Sequence, residues 1–216
     1  MPDEFLSFAT KDLSQDDAYN VLVAAVSPRP IALVSTISAG GVPNLAPFSF
    51  FMAGGATPLS IAFSPTDTSR GPKDTLKNIQ DTAEFVVNTV HGEMTHGMNA
   101  TSFGYGQDVS EWEASGFEML PSLSVRPFRV AESLFNLECK LFQVVRHGEG
   151  AGAANYVIGE VVRMHVNPAV WSGSSVDLDR VRLLARMGGP WYLDTEAMRV
   201  FELQRPTVAA VPPEEL

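Results

Sequence analysis

Apolar and polar residues alternate over short segments of this chain, and glycine or proline separates one segment from the next. The clearest case is residues 135–141, where apolar side chains at odd positions alternate with polar side chains at even positions. A period of two predicts a strand with one face in the core and the other in water. Residues 155–165 supply a partner strand, and the glycine-rich residues 148–152 between them favour a hairpin turn.

Four further apolar runs predict strands over residues 31–37, 44–52, 59–64 and 84–90. Pro47 lies inside the second run and has no amide hydrogen, so we expect an edge or a bulge there that leaves backbone groups free. Helices are predicted over residues 15–26, 73–81 and 110–116, and we expect the last to be short and exposed. Strands dominate without long helical crossovers. This favours a mainly β fold, an antiparallel barrel with flanking short helices.

Length and charge narrow the class of protein. The 216 residues suit a single domain, predicted over residues 1–204, and the Pro/Ala/Glu-rich residues 205–216 are predicted to form a C-terminal tail. Acidic residues number 25 against 15 basic ones, and this net charge of −10 argues against nucleic acid as a partner. The chain has a single cysteine, an acidic start and no apolar run near ~20 residues. We therefore expect a cytoplasmic protein with neither a secretory signal nor a membrane span.

Common catalytic and metal-binding motifs are missing from the sequence. The glycines at 148–152 lack the spacing of a dinucleotide-binding fingerprint and precede a predicted strand. His91 and His96 are five residues apart and do not share a helical face, so we predict no metal site. Cys139 falls on the apolar face of its strand, which favours a small buried side chain over a nucleophile. No catalytic residue is assigned.

Residues 66–77 form a basic island in this acidic chain. A Gly/Pro loop leading into a predicted helix carries Arg70, Lys73, Lys77 and four hydroxyl residues. A phosphate dianion binds to such groups, together with the free amides at a helix N-terminus. Taken alone, the segment equally fits a solvated, capped turn.

The proline-broken segment 44–51 is the second candidate. It carries Asn44, Ser49 and three phenylalanines. Its free backbone groups could hydrogen-bond to a flat heteroaromatic ring, and an ordinary barrel strand is the alternative interpretation.

In their order along the chain, these segments resemble the flavin reductase-like family of FMN-binding split barrels. The resemblance is to the branch that contains flavoredoxin and the reductase component of nitrilotriacetate monooxygenase. The matching segments are SPRPIALVSTI (27–37), NLAPFSFF (44–51), FSP (63–65), Arg70, KDT (73–75), NI (78–79), EFVVN (84–88), MNATS (98–102), RVAES (129–133), IGEVV (158–162) and RMGG (186–189). The resemblance covers residues 19–192, and the number and order of the segments carry it.

The resemblance implies a six-stranded antiparallel split barrel, usually a homodimer, with FMN near the subunit interface. It implies that Arg70, Lys73 and Thr75 bind the FMN phosphate, and that Ser64 and Asp74 support that loop or the ribityl chain. It also implies that Arg186 and Tyr192 face the substrate. The residues that it places around the flavin ring are Thr36, Asn44, Ala46, Pro47, Ser49 and Phe50.

The activity implied is that of an FMN-dependent NAD(P)H oxidoreductase, in which NADH or NADPH passes a hydride to flavin N5. The flavin would then serve a partner monooxygenase or reduce a small substrate directly. Three alternatives remain: a flavoredoxin-like electron carrier, a non-catalytic flavin-binding protein, and an enzyme of the pyridoxamine-phosphate oxidase type.

Overall fold

Strands outnumber helices in the protein, which a computed structural model describes over residues 5–105 and 110–195. In this part of the chain the α-helices are α1 (Gln15–Ala25), α2 (Asp74–Thr82), α3 (Thr95–Ala100) and α4 (Glu111–Ser115), with short 3-10 helices at Thr10–Asp12, Gly92–Met94 and Pro168–Val170. The strands are β1 (Arg29–Pro30), β2 (Ala32–Ile37), β3 (Pro43–Phe48), β4 (Phe51–Ala56), β5 (Leu59–Phe63), β6 (Glu84–Thr89), β7 (Met119–Leu120), β8 (Arg129–Val130), β9 (Phe135–His147), β10 (Ala154–Val166), β11 (Leu184–Arg186) and β12 (Tyr192–Asp194). The predicted tail at 205–216 lies outside the described residues. No helix within them is long and apolar enough to span a bilayer.

The main sheet has seven strands in the order β3-β2-β6-β9-β10-β5-β4, and every neighbouring pair is antiparallel. Its centre is the predicted hairpin of β9 and β10, in which Phe135 pairs with Val166 and His147 with Ala154. The turn between them uses Gly148, Gly150 and Gly152, all with positive φ, as the glycine-rich sequence predicts. The mainly β, antiparallel prediction is confirmed.

The predicted strand over 44–52 is wrong in one respect, because the chain breaks after Phe48 and forms two strands instead of one. β3 lies at one edge of the sheet and β4 at the opposite edge. Three peptide steps of 3.8 Å link Phe48 to Phe51, so the two edges come within about 11 Å of each other. The sheet therefore curls into a barrel whose edges meet without pairing. This break also accounts for seven strands where the resemblance implies six.

Two cores lie on the two faces of the curled sheet. β2 belongs to both, because Ala32 and Val34 face an inner core with Phe63 and Phe85, while Leu33 faces an outer core. α2 contributes Leu76 and Ile79 to the inner core. α3 and α4 cover the outer core with Met98 and Trp112. The helix predicted to be exposed at 110–116 thus has Trp112 buried, since one face of α4 packs on the sheet.

The polar face predicted for the 135–141 strand is buried over part of its length. Glu138 is fully buried and accepts hydrogen bonds from the amides of Leu123 (2.9 Å) and Ser124 (2.5 Å). His165 Nε2 lies 2.6 Å from the same carboxylate. The prediction that this face of the strand is exposed to solvent is therefore wrong at Glu138. The alternation correctly marks a polar side chain at position 138, but a loop and a neighbouring strand cover Glu138 and supply its hydrogen-bond partners.

A small three-stranded sheet, β1-β11-β12, flanks the barrel and brings residues distant in sequence together. Arg29 pairs with Arg186, and Arg186 pairs in turn with Tyr192. The amide of Leu184 donates to the carbonyl of Val90 (2.8 Å), which connects this sheet to the end of β6. The two residues assigned to the substrate side thus lie beside the barrel wall.

Candidate functional site

The loop between β5 and α2 ends at a helix N-terminus whose cap position is open. Lys73 occupies the N-cap in an extended conformation, and its side chain makes no capping hydrogen bond. The first amides of a helix have no intrahelical acceptors and lie at the positive end of the helix dipole. An anion that reached this point would find unsatisfied donors.

The cations of this loop are not neutralised by neighbouring carboxylates. The Lys73 ammonium lies 5.5 Å from the centre of the Phe48 ring, and burial lowers the pKa of Lys73. Arg70 is exposed and lies beside Gly104, where an added Cβ would come 3.3 Å from its guanidinium. Neither side chain forms an ion pair within the described residues. The loop therefore presents free positive charge.

Ser64 adds a buried hydroxyl at the start of the same loop. Its amide donates to the carbonyl of Phe50 (2.8 Å), which connects the end of β5 to the chain break after β3. Its Oγ has no hydrogen-bond partner among the residues that the structure describes. An unpaired buried hydroxyl is costly, but Ser64 lines neither of the two clefts described below.

A buried polar network holds the start of α2 against β2 and β3. Asn44 Nδ2 donates to Thr75 Oγ1 (3.0 Å) and to Thr36 Oγ1 (3.3 Å), and Asn78 Nδ2 also donates to Thr36 Oγ1 (3.1 Å). All four side chains are buried. The structure thus joins Thr75, which the resemblance assigns to the phosphate, to Thr36 and Asn44, which it assigns to the flavin ring. Their side chains support the site from behind and do not line the cleft described next.

A cleft of about 600 Å³ opens between α1, α3, the end of β3 and the small sheet. Five of the predicted site residues line it, namely Pro47, Ser49, Lys73, Arg186 and Tyr192. The remaining lining residues are Tyr19, Asn20, Val23, Arg29, Ile31, Phe48, Met98, Asn99, Ser102 and Gly189. The cleft thus connects the predicted phosphate side, at Lys73, with the predicted substrate side, at Arg186 and Tyr192.

Three other predicted residues, Phe50, Ala46 and Asp74, do not line this cleft. Phe50 makes an edge contact with Tyr19 (6.3 Å between ring centres) and lies 5.8 Å from the Arg29 guanidinium. Ala46 is half-buried and packs against the inner core. Asp74 is exposed and lines a different cleft.

That second cleft, of about 630 Å³, has a different chemical character. Its lining includes four carboxylates, and burial raises the pKa of one of them, Glu111, with Asp74 adding to the rise. The acidic lining residues are Asp74, Asp81, Glu111 and Glu113. Because these carboxylates repel anions, the first cleft is the better phosphate site.

Sequence reasoning missed Arg29, which lies in the first cleft with only a small fraction of its surface exposed. Its guanidinium donates to the carbonyls of Val23 (2.6 Å), Val26 and Met187. The only sequence signal at this position is an arginine between two prolines, Pro28 and Pro30. Such a position fixes the backbone but says nothing about which distant carbonyls the side chain will find.

A curled antiparallel sheet whose two edges meet without pairing is the architecture of a split barrel. A model of the flavin reductase like domain matches residues 25–177. The chain therefore belongs to the flavin reductase-like family, as the sequence predicts.

Similar proteins align with this chain over nearly its whole length. An uncharacterized protein of Halalkalibacterium halodurans is 36% identical over 203 residues, which cover 91% of this chain and 95% of that protein. Nitrilotriacetate monooxygenase component B from Bacillus cereus has a TM-score of 0.87 at 28% identity, covering 93% of this chain and 100% of that one. The 2-nitrobenzoate 2-nitroreductase NbaA of Pseudomonas fluorescens has a TM-score of 0.85 at 29% identity, covering 96% and 100%.

Proposed function

We propose that this chain binds FMN in the first cleft and acts as an NAD(P)H-dependent flavin reductase. The main support is the set of unsatisfied donors where β5 leads into α2. The ammonium of Lys73 has no carboxylate partner within the described residues, and the buried hydroxyl of Ser64 has no acceptor or donor there. A phosphate dianion supplies what both groups lack.

The proposed phosphate ligands are Arg70, Lys73 and Thr75. Arg70 and Lys73 supply charge, and the first amides of α2 supply oriented donors. Thr75 is held by Asn44, so its part is to fix the helix start through its side chain and to offer its amide. Ser64 and Asp74 support this loop or the ribityl chain.

The proposed ring site follows β3 and the break after it. β3 is an edge strand, so its outward backbone groups have no ladder partner. The Leu45 amide donates to Glu111, so the groups proposed to bind the heteroatoms of a flat ring are those nearer Ser49. Pro47, Ser49 and Phe50 lie at this edge, and Ala46 packs behind it. Thr36 and Asn44 keep the edge in place through their buried network.

Bound there, FMN would accept a hydride at N5 from NADH or NADPH and supply electrons for the next acceptor. The protein's part is to orient the reactants and to exclude water, which needs no acid or base side chain. Arg186 and Tyr192 border the open end of the cleft, where the donor or acceptor would lie. A reaction that consumes NADH or NADPH also favours the cytoplasm, where these donors are regenerated.

The names of two similar solved structures suggest the electron acceptor. Component B of nitrilotriacetate monooxygenase is one part of a monooxygenase, and a partner monooxygenase is the acceptor that we favour here. NbaA is a nitroreductase, so direct reduction of a small substrate is the second option. Assays with and without added monooxygenase would separate the two.

We also propose a homodimer. Strands β4, β5, β9 and β10 carry exposed large apolar side chains, and exposed apolar side chains are enriched at interfaces. These side chains are Met52, Leu59, Phe142, Tyr156 and Met164. Sedimentation equilibrium should give twice the chain mass, and a Phe142→Glu variant should lower it. A monomeric mass at micromolar concentration would exclude the dimer.

An anaerobic absorbance titration with FMN, then with NADH and NADPH in turn, tests the proposed activity. Perturbation and then bleaching of the flavin band by either nucleotide supports a reductase and names its donor. A bound flavin that no nucleotide bleaches would favour an electron carrier. If the protein binds no flavin at all, the proposal fails.

A further inference from the structure

Two arginines face each other across the short β1–β11 pair. Arg29 and Arg186 are direct partners in the register, and both line the first cleft. Like charges directly opposite each other in a sheet are unfavourable unless something neutralises them. None of the described residues that line this cleft is acidic. In a chain with a net charge of −10, this local excess of positive charge is unexpected.

The protein gives these guanidinium groups neutral partners. Arg29 donates to three backbone carbonyls, while its Nε is buried and has no partner among the described residues. Arg186 donates to the Gly189 carbonyl and the Tyr192 hydroxyl and lies 4.4 Å from the Tyr192 ring centre. Carbonyl and hydroxyl oxygens orient the two groups, but their charges stay uncompensated. Burial lowers the pKa of Arg29; Tyr19 opposes this shift, and the nearby Arg186 adds a smaller lowering.

We propose that Arg186, positioned by Tyr192 and backed by Arg29, binds an anionic oxygen group of the molecule that exchanges electrons with the flavin. This inference rests on the proposed function and names its substrate class. The shared chemistry is a carboxylate or a phosphate, because a guanidinium fork binds either one through paired hydrogen bonds. A carboxylate would belong to the acceptor, and a phosphate to the nucleotide donor. The rings of Tyr19 and Tyr192 beside the arginines suit a flat acid.

The first experiment measures binding without turnover. FMN-loaded protein is titrated by calorimetry with benzoate and with benzamide, which have nearly the same shape but differ in charge. We expect benzoate to bind more tightly, and Arg186→Gln to weaken benzoate about tenfold or more while leaving benzamide unchanged. Arg186→Lys should retain part of the preference. Arg182→Gln is the matched control, because Arg182 lies nearby in sequence but not in the cleft.

The second experiment compares NADPH with NADH, which differ only in the 2′-phosphate. If the anion is that phosphate, Arg186→Gln should raise KM for NADPH several-fold more than KM for NADH, without a change in kcat. Either selective effect supports the inference and identifies the source of the anion. It is overturned if the wild-type protein distinguishes neither benzoate from benzamide nor NADPH from NADH, or if Arg182→Gln has the same effect as Arg186→Gln. Absorbance first shows whether FMN is bound, so a protein without flavin contradicts the proposed function, whereas a flavin-loaded protein without charge preference contradicts only this inference.

Discussion

The carboxylate of Glu138 is fully buried and the ammonium of Lys73 is half-buried beside a cleft, but the protein supplies charged or hydrogen-bonding partners only to the first. Glu138 has two backbone amides and His165 within hydrogen-bonding distance. Lys73 has the face of Phe48 and no carboxylate partner within the described residues. A buried charge with a full set of partners stabilises the fold that supplies them. A charge left without partners costs free energy until a ligand arrives.

The same contrast separates other polar groups of the barrel. Asn136 donates to Asn88 and to the Val130 carbonyl, and it fixes the loop that runs from β8 to β9. The Ser64 hydroxyl is equally buried but has no such partner among the described residues. Ser64 is therefore a polar group of the proposed site that the described residues leave unsatisfied, as they also leave Trp112 Nε1 and Glu132 Oε2 elsewhere in the fold.

The largest effect is expected for Glu138, the charged group whose hydrogen bonds are all made within the protein. Glu138→Gln replaces a carboxylate that accepts from two amides with a group that turns a donor toward one of them, so we expect a loss of about 3 kcal/mol in the free energy of unfolding. Urea denaturation measures it. FMN affinity of the folded variant should stay within about twofold, because Glu138 does not line the cleft. A stable variant would show that the buried carboxylate does not hold the loop.

The pH dependence of stability provides a second test of Glu138. Burial alone would raise the pKa of Glu138, but the hydrogen bonds from Leu123, His165 and Ser124 outweigh it and lower that pKa below its usual 4.5. The stabilisation is therefore fully present above about pH 4.5 and is lost as the pH falls through the folded-state pKa. Glu138→Gln should remove this part of the acid transition. Parallel urea curves between pH 3 and 6 would reveal it.

Replacing Lys73 is expected to weaken FMN binding and to leave the free energy of unfolding almost unchanged. Lys73→Ala should weaken FMN by ~1.5–3 kcal/mol, roughly tenfold to a hundredfold, because a charge-assisted hydrogen bond to phosphate is lost. Riboflavin, which lacks the phosphate, should be little affected. Lys77→Ala is the control on the same helix, since Lys77 lines the acidic cleft. Equal losses for FMN and riboflavin would show that Lys73 is not a phosphate ligand.

The smallest effect is expected at Ser64. Ser64→Ala should weaken FMN by about 1 kcal/mol, the value of one neutral hydrogen bond. Without ligand, the variant should be as stable as wild type or slightly more stable, because the lost hydroxyl has no partner among the described residues. Thermal melts with and without FMN would separate the two contributions. A loss of stability without ligand would contradict the comparison.

The sequence predicts the parts of this site that depend on local chemistry. The loop with Arg70 and Lys73 stands out because charge, glycine and a helix start are neighbours along the chain. Pro47 indicates an edge because it cannot donate to a ladder, and β3 is an edge. Both signals depend on residues within a few positions of one another.

Features that depend on tertiary contacts could not be predicted in the same way. The alternation at 135–141 is correct, yet burial of Glu138 depends on a loop at 121–128 that no periodicity places there. The role of Arg29 depends on the Met187 carbonyl, 158 positions away. The break after Phe48 sends the chain to the far edge of the sheet, and strand pattern alone cannot distinguish that path from a continuous strand.

The seam between β3 and β4 affects how the barrel can move. All neighbouring strands in the order of the main sheet are joined by ladder hydrogen bonds. β3 and β4, at its two ends, are connected only by the covalent chain through Ser49 and Phe50 and by side-chain packing. Widening the seam therefore breaks no backbone ladder, so we expect it to cost less than separating any paired strands of the sheet. A flat ring could slide in there while the rest of the sheet stays intact, so cofactor exchange need not require unfolding.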